Sequence, residues 1–594
     1  MERRQFIKAI ALAYPSSLIA TSVLAESSVA IIVRQMNLAL ASAGRLSFYI
    51  DYSERTDIGK HKFYVCRSHG TSGSISVDYE SFGDNHVNVK GTLTWNDGQA
   101  DIKAFEVDVP TKNNGMHRTY VKLSNPTGGA ELQNGTNTIA YGVIDDETIA
   151  NNSLSVFFDT ELSVNGDGSL LNPYNNIYDA IQNVGTKRYI YGKGTVTPNG
   201  TNKNKIGGGE FNCISPPASR LDEESRVFIM NWPGYKLVVD GAGNSNCNGF
   251  YTKNEASFQT FRGIDFKNIN VTGVTGFNNA AAIFNHYGDS KMVNIEYCTA
   301  DNINGSSNVG AFLPWGVDGG KIWRCAANNM QIKGDNTDHN TAGVFYYSST
   351  NLSIQRCEFT NSANGVYMKR MEAGHVVASV RFSIFKTSVG ILYGYGSTGQ
   401  EPNFSVVQGN LFKNCNKYCA IQHTGAGSNQ QGKQWICNNV FDSCGGGDNG
   451  AIKSVDTYHH QIFNNIFYNC VKMWDMPETL DAQSNTSKPV IEYANHNNEF
   501  GTVGVMYEHL GTTYDSALKI KSATGFAQND TSYDPKFIDP SVNNYRLAAD
   551  SPCMTGGINN VSQGIYLTGV EKLGSSDGSI LFDPPEAPTG VKIT

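Results

Sequence analysis

The stretch Ile354-Gln-Arg-Cys357-Glu-Phe359-Thr-Asn361-Ser362 recurs along the chain and decides the fold. Later copies carry Phe at the sixth position, and most copies carry Asn at the eighth. Neighbouring copies start about 26 to 34 residues apart, a spacing typical of solenoids whose coils stack on one another. The copies begin at Phe261, Ile295, Ile322, Ile354, Val380, Val407, Ile436 and Ile462. The repeat therefore predicts a β-solenoid.

Two residue types form columns in this repeat. Asn tolerates the left-handed backbone that turns a coil, and stacked amides hydrogen-bond along the axis. The Asn column is Asn268, Asn302, Asn329, Asn361, Asn414 and Asn469. Cys recurs at the fourth position (Cys298, Cys325, Cys357) and at the ninth (Cys415, Cys444, Cys470). With strands ~4.8 Å apart, disulfides are geometrically conceivable. We expect buried free thiols, since Cys packs as a small hydrophobe.

Both ends of the repeat region resemble secreted bacterial β-helices of the pectate-lyase-like superfamily. Val164–Tyr174 followed by Ile177–Val184 resembles the Gly/Asp loop and capping helix at their start. Asp534–Asp539 with Tyr545–Cys553 resembles their end. The resemblance implies an all-β protein with a right-handed parallel β-helix over residues 154–557. Residues 558–594 are predicted to be a tail or linker.

Residues 45–148 are predicted to form a β-sandwich, because short alternating strands are separated by Gly- and Asn-containing turns. The run Ser124-Asn-Pro-Thr-Gly-Gly-Ala130 and the stretch Gly91–Gly98 resemble a Calx-beta domain. Many such domains bind calcium, which this resemblance would place at Asp145 and Asp146. The loop that normally adds further acids has none here, so a spacer or docking module remains the alternative. No other metal or cofactor is expected.

Charge and the N-terminus bear on location. The 594 residues include 46 Lys and Arg and 54 Asp and Glu, which gives a net charge of −8. This negative charge disfavours nucleic acid as a partner. Arg3-Arg4-Gln-Phe-Ile-Lys8, with the apolar stretch that follows, resembles a twin-arginine export signal covering residues 1–25. We expect a secreted or periplasmic protein without a membrane span in the mature chain. The alternatives are a retained N-terminal helix and a virion or cell-surface protein.

Aligning the strand after each copy on a small residue predicts an outward column on one face of the solenoid. This column contains His286, Tyr347, Lys369 and His423, with Lys369 and His423 two rungs apart. Neighbouring residues are Trp315, Tyr367, Arg370, Tyr393 and Tyr395, although strand alternation points Tyr393 inward. Such an aromatic and basic stripe is either covered by a loop or subunit, or is a groove for an extended acidic glycan.

The residue types favour a polysaccharide lyase. Lys369 would be the base or the carboxylate clamp, and His423 or Tyr347 would protonate the leaving oxygen. Val366-Tyr-Met-Lys369 resembles the strand that carries the basic Lys in polysaccharide lyase family 6. That family places an Arg on the next rung, where Ile391–Gly396 has none. The substrate-binding residues would be His286, Trp315, Tyr367, Arg370, Tyr393 and Tyr395.

Other functions remain open. One is a non-catalytic glycan-binding adhesin or a phage tailspike, and a third is a glycoside hydrolase. A hydrolase needs two nearby carboxylates, and the candidate acids do not share an outward column in the alignment. These acids are Asp335, Asp338, Glu372, Asp456 and Asp475. Lys369 could also merely pack its stem on Tyr347.

Overall fold

A computed structural model describes residues 42–575. Its gaps are at 51, 55–59, 84–87, 109–116, 134–138, 145–152, 199–202, 207–208, 245, 254–255, 273–278, 287–289, 370–375, 395–403, 424–432, 455–458, 477–489, 503 and 568–570. The described part is all-β apart from short helices. No helix in it is long and apolar enough to cross a membrane.

The N-terminal region is a β-sandwich-like unit, as predicted. One sheet has four strands in the order Lys103–Asp108, Lys60–Ser68, Arg45–Ile50 and Glu131–Leu132. The other has five, in the order Tyr52–Glu54, Ile139–Ile144, His117–Ser124, Ile75–Gly83 and Lys90–Trp95. Alternate residues of both sheets, among them Phe63, Trp95 and Val107, are buried between them. This alternation is the reason that the strands could be read from the sequence.

The rest of the described chain is a parallel β-helix built of three sheets. The first sheet contains Ser155–Asp159, Tyr189–Val196, Val227–Asn231, Gln259–Arg262, Ser290–Glu296, Val317–Trp323, Leu352–Gln355, Val376–Arg381, Phe404–Gln408, Lys433–Cys437, His459–Phe463 and Val490–Asn495. The second contains Leu237–Asp240, Ile264–Lys267, Asn270–Val271, Thr299–Gly305, Ala326–Ile332, Glu358–Thr360, Ile384–Lys386, Leu411–Lys413, Val440–Asp442, Ile466–Tyr468 and Asn498–Phe500.

The third sheet carries the candidate site. It contains Lys203–Ile206, Gly209–Ile214, Cys247–Lys253, Ala280–His286, Val309–Pro314, Thr341–Tyr347, Asn364–Lys369, Val389–Tyr393, Ile421–His423, Ile452–Ser454, Trp474–Met476, Tyr507–His509 and Thr512–Tyr514. Its strands pair in parallel from Gly209–Ile214 to Tyr507–His509. Residues that pair in register on one face of this sheet therefore form columns along the axis.

Stacked side chains hold the coils together as the repeat predicted. Neighbouring Phe rings from Phe359 to Phe467 lie 4.7–5.3 Å apart, which adds ~0.5–1.5 kcal/mol per pair to their burial. All six residues of the Asn column have a left-handed backbone. The Asn302 amide donates to the Asn268 side chain at 3.0 Å, and Asn329 donates to Asn302 at 3.5 Å. The predicted Asn column is confirmed.

A second asparagine ladder, which the sequence analysis did not identify, lies inside the coil. Asn410, Asn439, Asn465 and Asn497 are buried on successive rungs. Each donates to the side-chain oxygen of the next at 3.0 Å, and Asn497 bonds Asp530 through its backbone N–H at 2.9 Å. These amides satisfy backbone groups at a turn, where an unpaired buried group would cost ~1–3 kcal/mol.

Both ends of the solenoid are capped. The first cap is the helix Ile177–Gln182, begun by Asn176, whose side chain accepts from the Asp179 N–H. The last is the helix Ala517–Thr524, which ends at Gly525. Between the caps and the tail lie the hairpin Phe537–Asp539 and Asn544–Leu547, and the short 3-10 turns Pro540–Val542, Pro552–Met554 and Ile558–Asn560.

The sandwich docks on the solenoid through a buried arginine. Arg381 donates to the carbonyl oxygens of Phe48 and Tyr49 and to the Ser47 hydroxyl. The Tyr49 hydroxyl in turn donates to the Glu571 carboxylate at 3.1 Å. Residues near the C-terminus, including Ile565 and Leu573, pack in the same apolar cluster. The sandwich, the solenoid and the C-terminal segment therefore meet at one interface.

We expect all 12 cysteines to be free thiols, because all are buried and unbridged. Burial raises the pKa of Cys298 to about 12, so its reactive thiolate is scarce in the folded protein. A thiol reagent should react with few groups in the native protein and with close to 12 after denaturation without reductant. A denatured count near zero would show disulfides instead.

Candidate functional site

The outward face of the third sheet brings part of the predicted site together. In the strand Asn364–Lys369, Val366 and Met368 lie in the core, so Tyr367 and Lys369 point outward. Tyr347 pairs with Lys369, and Trp315 bridges to Tyr347 on the rung before. Trp315, Tyr347 and Lys369 therefore form one outward column.

Most of the aromatic stripe is packed. Trp315, Tyr347 and Tyr367 are only 4%, 7% and 6% exposed. The Trp315 and Tyr347 rings lie 4.2 Å apart, and Tyr418 packs against the same cluster. The stripe consists of Tyr251, Phe284, Leu313, Trp315, Phe345, Tyr347, Tyr367 and Leu392. These rings therefore fit the interpretation that the stripe is covered, and not the interpretation that it is an open groove.

Lys369 lies at the accessible edge of the stripe. Its ammonium is 5.7 Å from the centre of the Tyr367 ring and donates to the Asn340 side-chain oxygen at 3.4 Å. The neighbouring His339 is exposed, and its ring is 5.2 Å from that of the half-buried Tyr418. We call Lys369, His339, Asn340 and Tyr418 the lysine patch. It combines a cation, an imidazole, an amide and a phenol.

The structure also explains the missing arginine on the next rung. Gly394 follows Lys369 in the outward column. A Cβ at Gly394 would lie 2.6 Å from the Tyr367 ring, which is closer than side chains approach one another. Tyr367 therefore occupies the space that a side chain on this rung would need.

The outward placement of His423 is wrong. Ile391 pairs with Ile421 and Tyr393 with His423, so the true register differs by one residue from an alignment on Cys419. A shift of one residue turns every side chain of a strand to the opposite face. His423 is fully buried, its ring stacks on Tyr393 at 4.3 Å, and its Nε2 lies 2.8 Å from the Gln434 side-chain oxygen. Burial lowers the pKa of His423 to about 3.

Tyr393 also lies in the core, as the alternation of side chains along its strand indicated. Its hydroxyl donates to Ser405 at 3.3 Å, and burial raises the pKa of Tyr393 to about 12. The ring of buried His460 is 5.0 Å from that of His423. Burial, followed by the neighbouring His423 and His459, lowers the pKa of His460. The interior thus holds a polar cluster that no glycan could reach.

Some predicted residues lie outside the described part of the chain. These are Arg370, Glu372, Tyr395, Asp456, Asp145, Asp146 and the side chain of His286. Among the described residues, no three His, Cys, Asp or Glu side chains come together as a metal site. The Nδ1 atom of His459 lies 2.9 Å from the Glu492 carboxylate.

The alignment missed two carboxylates that do share an outward column. Along the third sheet, Gln422, Lys453, Asp475 and Glu508 pair on successive rungs. The repeat alignment ended near residue 470 and did not extend to Glu508. We call Asp475 and Glu508 the carboxylate pair. Glu508 was not among the candidate acids of the sequence analysis, so the sequence analysis overlooked this partner of Asp475.

The two members of the carboxylate pair have different surroundings. Asp475 is 5% exposed, and burial, with a contribution from Glu508, raises its pKa despite Lys472 and Lys453. The Lys453 ammonium is 3.6 Å from the Asp475 carboxylate. The Lys472 ammonium is 2.7 Å from the Glu508 carboxylate, which is partly accessible. A carboxyl with a raised pKa beside an ion-paired carboxylate is an arrangement suited to acid–base chemistry.

Comparisons with known proteins match only part of this chain. No protein-family model matches it, and no curated protein is similar to it. The apo-form Calx CBD1 domain is 24% identical, with 17% of this chain and 96% of that chain covered and a TM-score of 0.16. CBD12 from CALX1.2 is 22% identical, with 20% and 52% covered and a TM-score of 0.16.

The calcium binding domain CBD12 of CALX1.1 is 23% identical, with 20% of this chain and 54% of that chain covered and a TM-score of 0.16. The chain spans about half the length of the two CBD12 structures. These likenesses are weak. They bear on neither the solenoid nor its chemistry.

We expect the buried histidines to make the fold sensitive to acid. The pKa of His423 falls from 6.5 to about 3 on folding, so the unfolded state binds more protons between these values. Stability is therefore lost as the pH falls below about 6.5, by about 2 kcal/mol for His423 between pH 7 and pH 5. Urea unfolding at both pH values measures this loss.

The variant His423→Gln should lose less unfolding free energy between pH 7 and pH 5 than the wild type does. His339→Gln, at an exposed position, is the matched control for losing one histidine. The same acid sensitivity in His423→Gln as in the wild type would contradict a neutral buried imidazole.

Proposed function

We propose that the protein binds an acidic polysaccharide on the outward face of the third sheet and cleaves it by β-elimination. The observation that supports this most is the position of Lys369, whose ammonium lies over the Tyr367 ring at the accessible edge of an aromatic stripe. A cation binds a uronic carboxylate, and the partly exposed ring of Tyr418 in the lysine patch offers a face on which a sugar can stack. A secreted or periplasmic location would suit such a substrate and is part of the proposal.

Elimination needs three groups. A base removes the proton alpha to the uronic carboxylate, a cation stabilises the enolate, and an acid protonates the leaving oxygen as its bond to the sugar breaks. Lys369 serves as the base or the clamp. Tyr347, one rung away, is the predicted acid, and Tyr418 in the lysine patch is a second phenol that could take this role. His423 has no part, because it lies inside the coil.

Substrate contacts would continue along the same outward column. Trp315 lies in this column and Tyr367 in the neighbouring one, and because both rings are packed we propose that they support the surface on which the glycan lies. His286, Arg370 and Tyr395 remain proposed glycan contacts, and Tyr393 is withdrawn because it lies in the core. Calcium at Asp145 and Asp146 also stays a proposal and has no role in the elimination.

Replacing Lys369 with Ala should abolish cleavage and spare the fold. Loss of a general base costs about 10²-fold or more in rate, whereas an outward side chain adds little to stability. Alginate, pectate and chondroitin are incubated with each protein, and the ultraviolet absorbance of the unsaturated product is followed. Lys386→Ala is the matched control, since Lys386 is an outward lysine on the second sheet.

Full activity in a folded Lys369→Ala protein would remove this residue from the mechanism. Binding of a glycan by the wild type without any cleavage would favour the adhesin or tailspike alternative. That outcome would leave the third-sheet face as a binding surface.

Hydrolysis is a second candidate, because the carboxylate pair places two acids next to each other in one outward column. Asp475 and Glu508 are on adjacent strands, ~4.8 Å apart in the backbone. Retaining glycosidases separate their two carboxyl groups by about 5–5.5 Å. Protonated Asp475 would donate its proton to the glycosidic oxygen. The Glu508 carboxylate would bond to the anomeric carbon as the glycosidic bond breaks. Water would then give a proton to the Asp475 carboxylate and displace Glu508 from the sugar.

If the protein is a hydrolase, Asp475→Asn should lower the release of reducing ends by 10²-fold or more, since an amide cannot donate the catalytic proton. Asp301→Asn, at an exposed outward position on the second sheet, is the matched control. Products without ultraviolet absorbance distinguish hydrolysis from elimination. Unchanged release of reducing ends by Asp475→Asn would eliminate the pair from catalysis.

A further inference from the structure

A cleft separate from the lysine patch and the carboxylate pair opens where the second sheet turns into the third. Its volume is about 380 Å³, within the range of small-ligand pockets. It is lined by Gly241, Ala242, Gly243, Asn244, Asn268, Ile269, Asn270, Asn302 and Asn304. Five of these residues are asparagines, and none of the described lining residues carries a charge.

The amides that line the cleft are held in place. Asn268 donates to the Asp240 carboxylate at 3.0 Å and accepts from Asn302 at the same distance. Asn244 donates to the Pro198 carbonyl at 2.6 Å. The Asn304 side-chain oxygen accepts from the Gly334 N–H at 3.3 Å. Because the protein already orients these groups, a ligand would not have to order them.

Asn270 has an unused acceptor in this wall. Its side-chain oxygen is buried from solvent and has no hydrogen-bond partner in the described part of the chain. A buried acceptor without a partner costs ~1–3 kcal/mol. Asn270 pairs in register with Asn304, so two amides one rung apart face the same side of the strand edge.

The chemistry of the wall selects the class of ligand. An amide offers both donors and an acceptor, which matches the adjacent hydroxyl groups of a sugar ring. The Asp240 carboxylate behind the wall is bonded to Asn268 and to the Ala242 N–H, and its charge is balanced by the Lys267 ammonium at 3.1 Å, so the site offers an anion no net positive charge. We propose that this cleft binds a neutral sugar residue of a glycan. This site does not depend on which reaction the third-sheet face performs.

The chain offers a matched pair of variants for the test. Asn270, Asn304 and Gln331 follow one another in a single column, but Gln331 does not line the cleft. Asn304→Leu removes one amide from the wall, and Gln331→Leu makes a similar change one rung beyond it. Asn270→Leu is the second variant if Asn304→Leu does not fold, as judged by its circular dichroism and melting temperature.

Calorimetric titration of the full chain uses cellohexaose, maltohexaose and xylohexaose as neutral probes, and hexagalacturonate as the acidic probe. We expect one neutral probe to bind the wild type, Gln331→Leu and Lys369→Ala equally. Asn304→Leu should bind it about tenfold more weakly, the effect of one lost hydrogen-bond pair. The affinity for the neutral probe should be the same in 50 and 500 mM NaCl, because the proposed contacts involve no charged group. The screening length changes about threefold between these concentrations.

Absence of binding by all neutral probes would overturn the proposal, as would equal affinities for Asn304→Leu and Gln331→Leu. Binding of hexagalacturonate alone, weakened by salt and by Lys369→Ala, would also overturn it and would leave the proposed function standing. Failure of the proposed function, with no acidic glycan bound or cleaved, leaves the neutral-probe result intact. The two hypotheses are therefore tested separately.

Discussion

Parallel hydrogen bonding in register is the constraint on which the rest of this structure depends. Each rung lies ~4.8 Å from the next, so a residue type that recurs in the repeat becomes a continuous column. The Phe ladder from Phe359 to Phe467 and the amide ladder from Asn268 to Asn329 are direct consequences. The same constraint aligns functional side chains on the outside, since Tyr347 is carried next to Lys369 by backbone pairing alone.

Sequence reasoning succeeded where a column has a distinctive side chain. The Phe and Asn columns are visible in the sequence, because a large ring or a left-handed turn tolerates few substitutes. The alignment of the repeat was wrong in part of the third sheet, where only small residues were available to set the register. The alignment placed Cys419 opposite Gly390, but the turn before Ile421 is one residue longer than this alignment assumed. A shift of one residue reverses the face of each side chain, so His423 points inward. The carboxylate pair was missed because the repeat changes its spacing before Glu508.

Contacts between distant parts of the chain were beyond prediction for a different reason. Arg381 and the backbone of Phe48 are more than three hundred positions apart, and no local pattern links them. A buried guanidinium needs hydrogen-bond acceptors, and here two carbonyl oxygens and a hydroxyl of the sandwich accept from its two terminal nitrogens. The cost of leaving it unsatisfied fixes the sandwich on the first sheet. The resemblance to a Calx-beta domain contains no information about this docking.

The two candidate reactions cannot act on the same bond. Tyr367, beside Lys369, and Asp475 belong to one outward column but are four rungs apart, roughly 19 Å at ~4.8 Å per rung. Between them the column changes from aromatic and aliphatic to polar and charged. A single extended glycan could span both positions, so one could cleave while the other binds. At the buried Asp475 a low local dielectric would strengthen electrostatic interactions with a bound sugar, whereas Lys369 lies at the accessible edge of the face, so the two positions would act on the glycan in different surroundings.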